Sequence, residues 1–491
     1  MLKRMLAAGL VVGLAAVVLA SCGGNEAAAP ASVGKAALYT FIGDTPASDV
    51  LSMRISVTSM TLTQQGTTNE VDLPVSGSAS SARLDFASLR DFTTVLSVAS
   101  MPEVTYDKIT LNFSFPQIVL YDPTQSPPVR VVNAAMAKAT AVVPIRPALA
   151  VVKDEVAALR LDFDLLRSIA IEVDTDGHVS GTLTPVMKAA PIVPVEGQGF
   201  GEFDGLVGFV RTVAPYPGTE NFTGAFTLQL LAGDGPAISV NFTNSTQLFG
   251  VPALNQLETG RVVEVEAVID EKGNFVAKTV EVGDRAVVDE NKLAFLGYVT
   301  SVTKDQSGKL SQFSLYVREE QPDVSYQVPL DSVVIVNVSS TTTFQHSSRS
   351  TNFASLPFDG TAVTPGQELI VHGKYTTAQD MPTTVDANLI VLKLQTVQGN
   401  LASLVQVSPD GRTGAFWFAP SLTLLQSAPV MVMTNSETVF VGVLGLGDLT
   451  SQSFLLVKGL PFYQMQAGTI NGVAVPAGTL VITARQVHQL Q

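Results

Sequence analysis

The 491-residue sequence predicts an all-β protein, with an N-terminal β-sandwich-like domain followed by three tandem small OB-like β-barrels. Three observations carry that expectation. Apolar and polar residues alternate in short runs along nearly the whole chain, and Gly, Pro, Asn or Asp breaks each run, which is how half-buried strands joined by turns are written. From residue 204 onward the chain repeats itself with a period of about 95 residues. The one cysteine, Cys22, allows neither an internal disulfide nor a thiolate metal site, so burial alone must hold the fold.

The chain opens with Lys3 and Arg4, an apolar run from Met5 to Ala20, then Ser21 and Cys22. That run is shorter than the roughly 20 apolar residues of a comfortable membrane span, and it has the charged flank and small residues of a cleaved leader. The stretch resembles a bacterial lipoprotein signal peptide with its lipobox. The resemblance implies that residues 1–21 are a leader, that the Cys22 thiol receives a diacylglyceryl group and that the new amino terminus is acylated. One acyl chain holds a protein to a bilayer only reversibly, whereas two or three anchor it. Gly23 follows the cysteine, and the absence of Asp there resembles an outer-membrane sorting signal. Residues 22–37 are rich in Gly, Ala, Ser and Pro and are expected to form a flexible tether.

Charged residues make up 15% of the chain, the net charge is −14 and there are four histidines. Nucleic acid is an unfavourable partner, because counterion release needs clustered Lys and Arg. The acidic balance also argues against docking on anionic headgroups, so attachment to the membrane rests on the acyl chains of Cys22.

Residues 38–190 alternate as strands. Met53, Ile55 and Val57, then Met60 and Leu62, share one face, and Ile109, Leu111, Phe113 and Phe115 repeat the pattern. One helix is expected from Arg83 to Ser97, where Phe86, Leu89, Phe92 and Leu96 recur at spacings of three and four behind Asp85. Gly43-Asp44-Thr45-Pro46, the Tyr106-Asp107-Lys108-Ile109 step, Leu161 to Asp164 leading to Ser168 and Ile169, and Leu183 to Val186 give a further resemblance. In these residues the segment resembles the bacterial lipoprotein family known as domain of unknown function 4382. That resemblance implies a β-sandwich-like envelope domain and no assigned activity.

Residues 191–203 are expected to be a linker, with Pro191, Pro194 and several glycines and little periodicity. Three repeats follow at 204–284, 290–394 and 395–491. Their openings match: Gly208 to Val213, Gly297 to Val302 and Gly399 to Leu404. Second strands follow at Phe226 and Leu228, Phe313 and Leu315, Phe416 and Phe418, and third segments end at Phe249, Phe344 and Phe440. Gly260 and Gly366 precede a fourth strand, and the third copy reaches Leu455 and Val457 without that glycine. Short strands opened by glycine suggest a closed barrel, with three small sandwiches in series as the alternative. The pattern resembles the family known as domain of unknown function 5666, which implies an OB-type barrel of envelope proteins. Four independently folding units with joints near 190, 290 and 395 are therefore expected.

Asp174, Asp176 and Gly177 resemble the opening of a calcium loop, but Pro185 stands where a bidentate Glu belongs, so a hairpin turn is the favoured reading. Asp162 and Asp164 lie two apart on a strand, where structural polar positions are more common than acid and base pairs. His178, His346, His372 and His488 are scattered, and neither a hydrolase elbow nor a phosphate loop is present. No catalytic residue, cofactor or metal is expected. Trp417, between Phe416 and Phe418, should point away from its barrel core and offer an interaction surface. The expectation is a non-enzymatic, lipid-anchored envelope protein acting as a modular spacer or interaction array, with an envelope protein or glycan as partner. A carbohydrate-binding accessory is the alternative, weakened by one Trp and nine Tyr, and a motif-free envelope hydrolase is the lesser one.

Overall fold

The computed structural model describes residues 36–45, 49–75, 82–89, 94–175, 178–195, 199–219, 221–230, 236–282, 292–305, 309–321, 332–346, 356–378 and 381–490. The leader, Cys22 and most of the expected tether lie outside the described residues. Ala36 and Ala37, expected at the end of the tether, belong instead to the first strand.

The N-terminal domain is built from β1 (Ala36–Thr45), β2 (Val50–Gln64), β3 (Glu70–Leu73), β4 (Ala82–Asp85), β5 (Thr94–Met101), β6 (Thr105–Tyr121), β7 (Val129–Asn133), β8 (Ala135–Met136), β9 (Thr140–Ala150), β10 (Val156–Asp164), the single-turn α1 (Leu165–Ser168), β11 (Ile169–Val173), β12 (Val179–Leu183) and β13 (Met187–Ile192). The main sheet runs β3-β2-β6-β9-β13-β10-β1-β5, with β4 on β2 and β7 on β6; a small sheet runs β11-β12-β8. Inward residues from both halves of the main sheet meet in one core, among them Ile55, Leu111, Ile145, Leu161 and Phe163. Strand β1 pairs parallel with β10 and antiparallel with β5. Its run Leu38-Tyr-Thr-Phe-Ile42 is buried on both faces, as a strand covered on both sides requires.

The helix expected over 83–97 does not form. Its place is taken by β4, a 3₁₀ turn at Phe86–Leu89 and β5. Phe86 and Leu96 are both fully buried in the same core, but they reach it from a turn and a strand. Asp85 accepts hydrogen bonds from Met53 N (2.8 Å), Ser52 Oγ (2.8 Å) and Ala87 N (3.1 Å), which ties the turn to β2. The β-branched Thr94, Val95 and Val98 favour the strand.

Barrel 1 comprises β14 (Gly201–Thr219), β15 (Phe222–Leu230), β16 (Ala237–Phe242), β17 (Gln247–Phe249), β18 (Val262–Ile269) and β19 (Phe275–Val282). Barrel 2 comprises β20 (Lys292–Lys304), β21 (Leu310–Gln321), β22 (Val333–Asn337), β23 (Thr343–His346), β24 (Glu368–Ala378) and β25 (Met381–Leu392). Barrel 3 comprises β26 (Gln395–Val407), β27 (Gly414–Pro420), β28 (Val430–Thr434), β29 (Val439–Val441), β30 (Phe454–Gln464) and β33 (Thr479–Leu490), with a hairpin of β31 (Gly468–Ile470) and β32 (Val473–Val475) inserted before the last strand. All three close alike: the third strand pairs parallel with the last, at β16–β19, β22–β25 and β28–β33. This closed five-strand order, with a short sixth strand beside the last, is OB-type, and the third copy is as complete as the others. Gly201 to Phe203, expected as linker, already pair within β14.

Each opening glycine has the same job. A Cβ on Gly208, Gly297 or Gly399 would run into the carbonyl oxygen of Gln229, Tyr316 or Ala419 on the neighbouring strand. A register shift follows at the same place in each, after Val210, Val299 and Leu401, and together the two features coil the first strand around the barrel. The third copy makes its equivalent first-to-fourth-strand bond, Leu401 N to Ser453 O, without the glycine that precedes β18 and β24. Buried or nearly buried threonines also recur: Thr246, Thr342 and Thr438 donate to the carbonyls of Ala277, Ala387 and Ala484 at 2.7, 2.7 and 2.8 Å. These bonds correct the expected alignment of the first copy by one residue. Leu248 opposite Val280, and not Phe249, matches Phe344 opposite Ile390 and Phe440 opposite Val487.

The four units do not sit apart. Tyr39, Phe41, Val95 and Ala158 of the N-terminal domain belong to the core cluster of barrel 1. Leu51 and Val119 of that domain, with Tyr298 and Tyr316 of barrel 2, belong to the cluster of barrel 3. Leu460 and Phe462 of barrel 3 complete the cluster of barrel 2.

Candidate interaction surfaces of the barrels

In an OB-type barrel the outer face of the second and third strands, with its flanking loops, is where oligonucleotides and oligosaccharides bind. Trp417 lies on that face of barrel 3. Phe416 and Phe418 are buried inside, and Trp417 between them points the other way, as strand periodicity requires. It is nevertheless only half exposed. The β31–β32 hairpin, turned by Asn471 and Gly472 at φ 47° and 80°, folds back over this face. Ile470, Val473 and Val475 from the hairpin pack with Ala415, Met431, Met433 and Val481, and Trp417 and Leu356 of barrel 2 close the cluster. The cover is this hairpin.

The corresponding face of barrel 2 is also taken. Tyr316 and Arg318 point outward from β21, yet both are buried. Arg318 donates to Glu368 Oε1 at 3.0 Å and lies over the Tyr298 ring at 5.5 Å. Tyr316 packs with Leu51 and Val119, and its hydroxyl is hydrogen-bonded with Ser52. Burial, reinforced by the Asp85 carboxylate, raises the Tyr316 hydroxyl far above the ordinary tyrosine range.

Barrel 1 is docked through the loop between its fourth and last strands. Tyr39 Oη donates to the Gly273 carbonyl at 3.1 Å, and its ring meets Phe275 edge-on at 5.3 Å. Phe41 stacks on Phe203 at 4.4 Å. Burial, with a smaller push from Asp270, raises the Tyr39 hydroxyl to about 12.

Ion pairs join the remaining surfaces. Glu266 of β18, only 1% exposed, binds Arg485 of β33 and accepts from Thr279 Oγ1 at 2.8 Å. Glu264 pairs with Lys393 at 3.0 Å. The backbone N–H of Thr423 donates to Asp49 Oδ1 at 2.9 Å, linking barrel 3 to the N-terminal domain. His488 of β33 is held below the ordinary histidine range by burial and then by the nearby Arg160. Gln367 Nε2 donates to the Pro461 carbonyl at 2.8 Å, and His346 meets Phe462 edge-on, linking barrels 2 and 3.

The other sequence candidates are dispersed. Asp174 sits in the turn of the β11–β12 hairpin, where its carboxylate accepts from His178 N at 2.8 Å and contacts His178 Nδ1 at 2.9 Å. Asp176 and Gly177 lie outside the described residues. Asp164 caps α1 by accepting from Arg167 N at 3.0 Å, and Asp162 stays on β10. Among the described residues, no group of three or more His, Cys, Asp or Glu is placed to hold a metal, and no helix is long and apolar enough to cross a membrane. Sequence reasoning missed Tyr39, Tyr316, Arg318 and Glu266 as interface residues. Tyr316, Arg318 and Glu266 alternate with inward apolar residues as solvent-face positions do, and Tyr39 is one aromatic in an apolar run.

The fold and these surfaces define an all-β, multi-barrel protein in which barrels 2 and 3 turn this outer face to other parts of the same chain. Residues 35–184 match the family described as Domain of unknown function (DUF4382), and residues 224–281 match Domain of unknown function (DUF5666). No curated protein matches the chain. Among solved structures, "drosophila Unr CSD456" is similar at 10% identity and a TM-score of 0.14, covering 58% of this chain and 97% of its own. The single-stranded DNA binding protein from Thermus aquaticus is similar at 12% identity and a TM-score of 0.14, covering 41% and 93%.

Proposed function

We propose that the chain is a non-enzymatic, lipid-anchored envelope protein that presents a packed β body to partners outside the cytoplasm. The observation that carries this reading is the internal use of the barrel faces. Tyr316 and Arg318 are buried against neighbouring units, and Trp417 lies under the β31–β32 hairpin, so in barrels 2 and 3 the surface on which OB-type barrels hold polymers serves intramolecular packing. A carbohydrate-binding role loses its one indole platform to the same hairpin. Buried contacts between units favour an interaction body over an extended spacer.

The anchor rests on the lipobox ending at Cys22. In a bacterial host, Cys22→Ser is expected to move the protein from the membrane fraction to the soluble exported fraction after a salt and carbonate wash. Retention of that variant in the membrane pellet contradicts the anchor. A screen of the wild-type chain against esterase, phosphatase and glycosidase substrates should give no turnover above that of a heat-denatured control, and reproducible turnover refutes the non-enzymatic reading.

A further inference from the structure

We infer that β11 is the pairing edge of a two-fold homodimer, in which it lies antiparallel to β11 of a second copy. Strand β11 ends the β11-β12-β8 sheet, and among the described residues no strand pairs with its other side. Ala170 and Glu172 on one face are exposed; on the other, Ile171 is 37% and Val173 66% exposed. Its register with β12 is unbroken, and Ile169-Ala-Ile-Glu-Val173 contains no proline, lysine or bulge. Those are among the devices with which proteins blunt a free edge; of the others, this five-residue strand has its shortness and one charge, Glu172.

The hydrogen-bond phase of the hairpin selects the register. Asp174 N donates to His178 O at 2.9 Å, and Thr184 N donates to Ser168 O at 2.8 Å. Antiparallel bonding alternates, so the even-numbered residues of β11 bond to β12, and Ile169, Ile171 and Val173 turn their N–H and C=O groups to the open side. A two-fold axis at Ile171 then sets Ile171 opposite Ile171 and Ile169 opposite Val173 as hydrogen-bonded pairs. The apolar face becomes continuous across the two copies, and Glu172 falls opposite Ala170. An axis at Glu172 would oppose two carboxylates, which is destabilising. An axis at Ala170 would pair Val173 with Arg167, beyond the strand.

Charge complements this register. With the axis at Ile171, Ser168 lies opposite Asp174 of the second copy. Arg167, 69% exposed and 3.9 Å from Asp164 of its own copy, would then neighbour the position facing Asp174, 52% exposed and in contact with its own His178, at both ends of the ladder. A segment that pairs with itself in this way fits a second copy of the chain better than an unrelated strand. The inference does not depend on the anchor or on the absence of catalysis.

Cys22 is the only cysteine, so Cys22→Ser gives a thiol-free chain in which single cysteines report geometry. In that background, Ile171→Cys places two thiols across the axis, with Cα atoms about 5.5 Å apart and within disulfide range. Val173→Cys is more exposed, but it meets its own copy only at a separation of about 13 Å, four residues along the ladder. Under mild oxidation at micromolar protein, Ile171→Cys is expected to give about tenfold more cross-linked dimer than Val173→Cys, a margin that disulfide geometry allows. Sedimentation of the thiol-free chain should show a dimer that Ile171→Lys converts to monomer. A monomeric thiol-free chain, or cross-linking that follows exposure so that Val173→Cys exceeds Ile171→Cys, overturns the inference. Capture of a different protein through Ile171→Cys, with no homodimer, overturns it as well.

Discussion

Tyr39 ties chemistry to packing at the scale of one residue. Its hydroxyl is raised to about 12 because ionisation would put a charge into the apolar contact between β1 and barrel 1, beside Asp270. A free tyrosine ionises near 10, so the native state holds this proton more tightly than the unfolded chain does. The stabilisation is therefore fully present below pH 10 and is lost as pH rises through about 12, a loss approaching about 3 kcal/mol. Tyr316 acts in the same direction at the second contact of the N-terminal domain. Denaturant midpoints measured from pH 8 to 12 should fall steeply for the wild type, and Tyr39→Phe should flatten part of that fall. An identical alkaline slope in the variant contradicts this account of Tyr39. None of this was legible in the sequence, where Tyr39 is one aromatic in the apolar run of β1. Its role depends on the N-terminal core covering one face of that strand and barrel 1 the other.

At the scale of the element, the repeat was readable because glycine answers to a backbone demand and not to a side-chain preference. Gly208, Gly297 and Gly399 recur because each lies against a neighbouring carbonyl oxygen where no Cβ fits. Gly399→Ala is expected to cost at least about 3 kcal/mol, since neither backbone can give way without breaking the ladder. Gly66→Ala, at a φ of 72° with open space around it, should cost less, because only backbone strain opposes it. Comparable urea midpoints for the two variants would show that close approach does not set the coil of the first strand. The one-residue slip at Phe249 has a complementary cause. Leu248 and Phe249 are both apolar, and only the Thr246 hydroxyl on the Ala277 carbonyl fixes which of them faces Val280. The helix expected over 83–97 failed for a related reason. Helical spacing of apolar residues is also satisfied when a turn and a strand enter one core from different directions, as Phe86 and Leu96 do. At the candidate face of barrel 3, strand periodicity correctly turned Trp417 away from the barrel core. The distant hairpin at 468–475 that covers it has no signature in the sequence around Trp417.

At the scale of the whole molecule, units that read as separate in sequence share their packing. Barrel 3 touches the N-terminal domain through Leu51 and Val119, barrel 1 through Arg485 on Glu266, and barrel 2 through Phe462 on His346. A period in sequence reports that a unit folds the same way several times, and it carries no information about whether the copies rest on one another. Packing shared in this way makes the stability of barrel 3 depend on the other units. Trp417, the only tryptophan, reports on barrel 3 alone. Leu51 belongs to β2 but is buried in the cluster of barrel 3 at 1% exposure. The most direct measurement is urea unfolding of the full chain followed by Trp417 emission, comparing wild type with Leu51→Asp. The packed body predicts that the midpoint falls by about 1 M or more, as an unpaired charge forced into a shared core requires. A Trp417 transition with an unchanged midpoint, while the N-terminal domain unfolds early by circular dichroism, would contradict it.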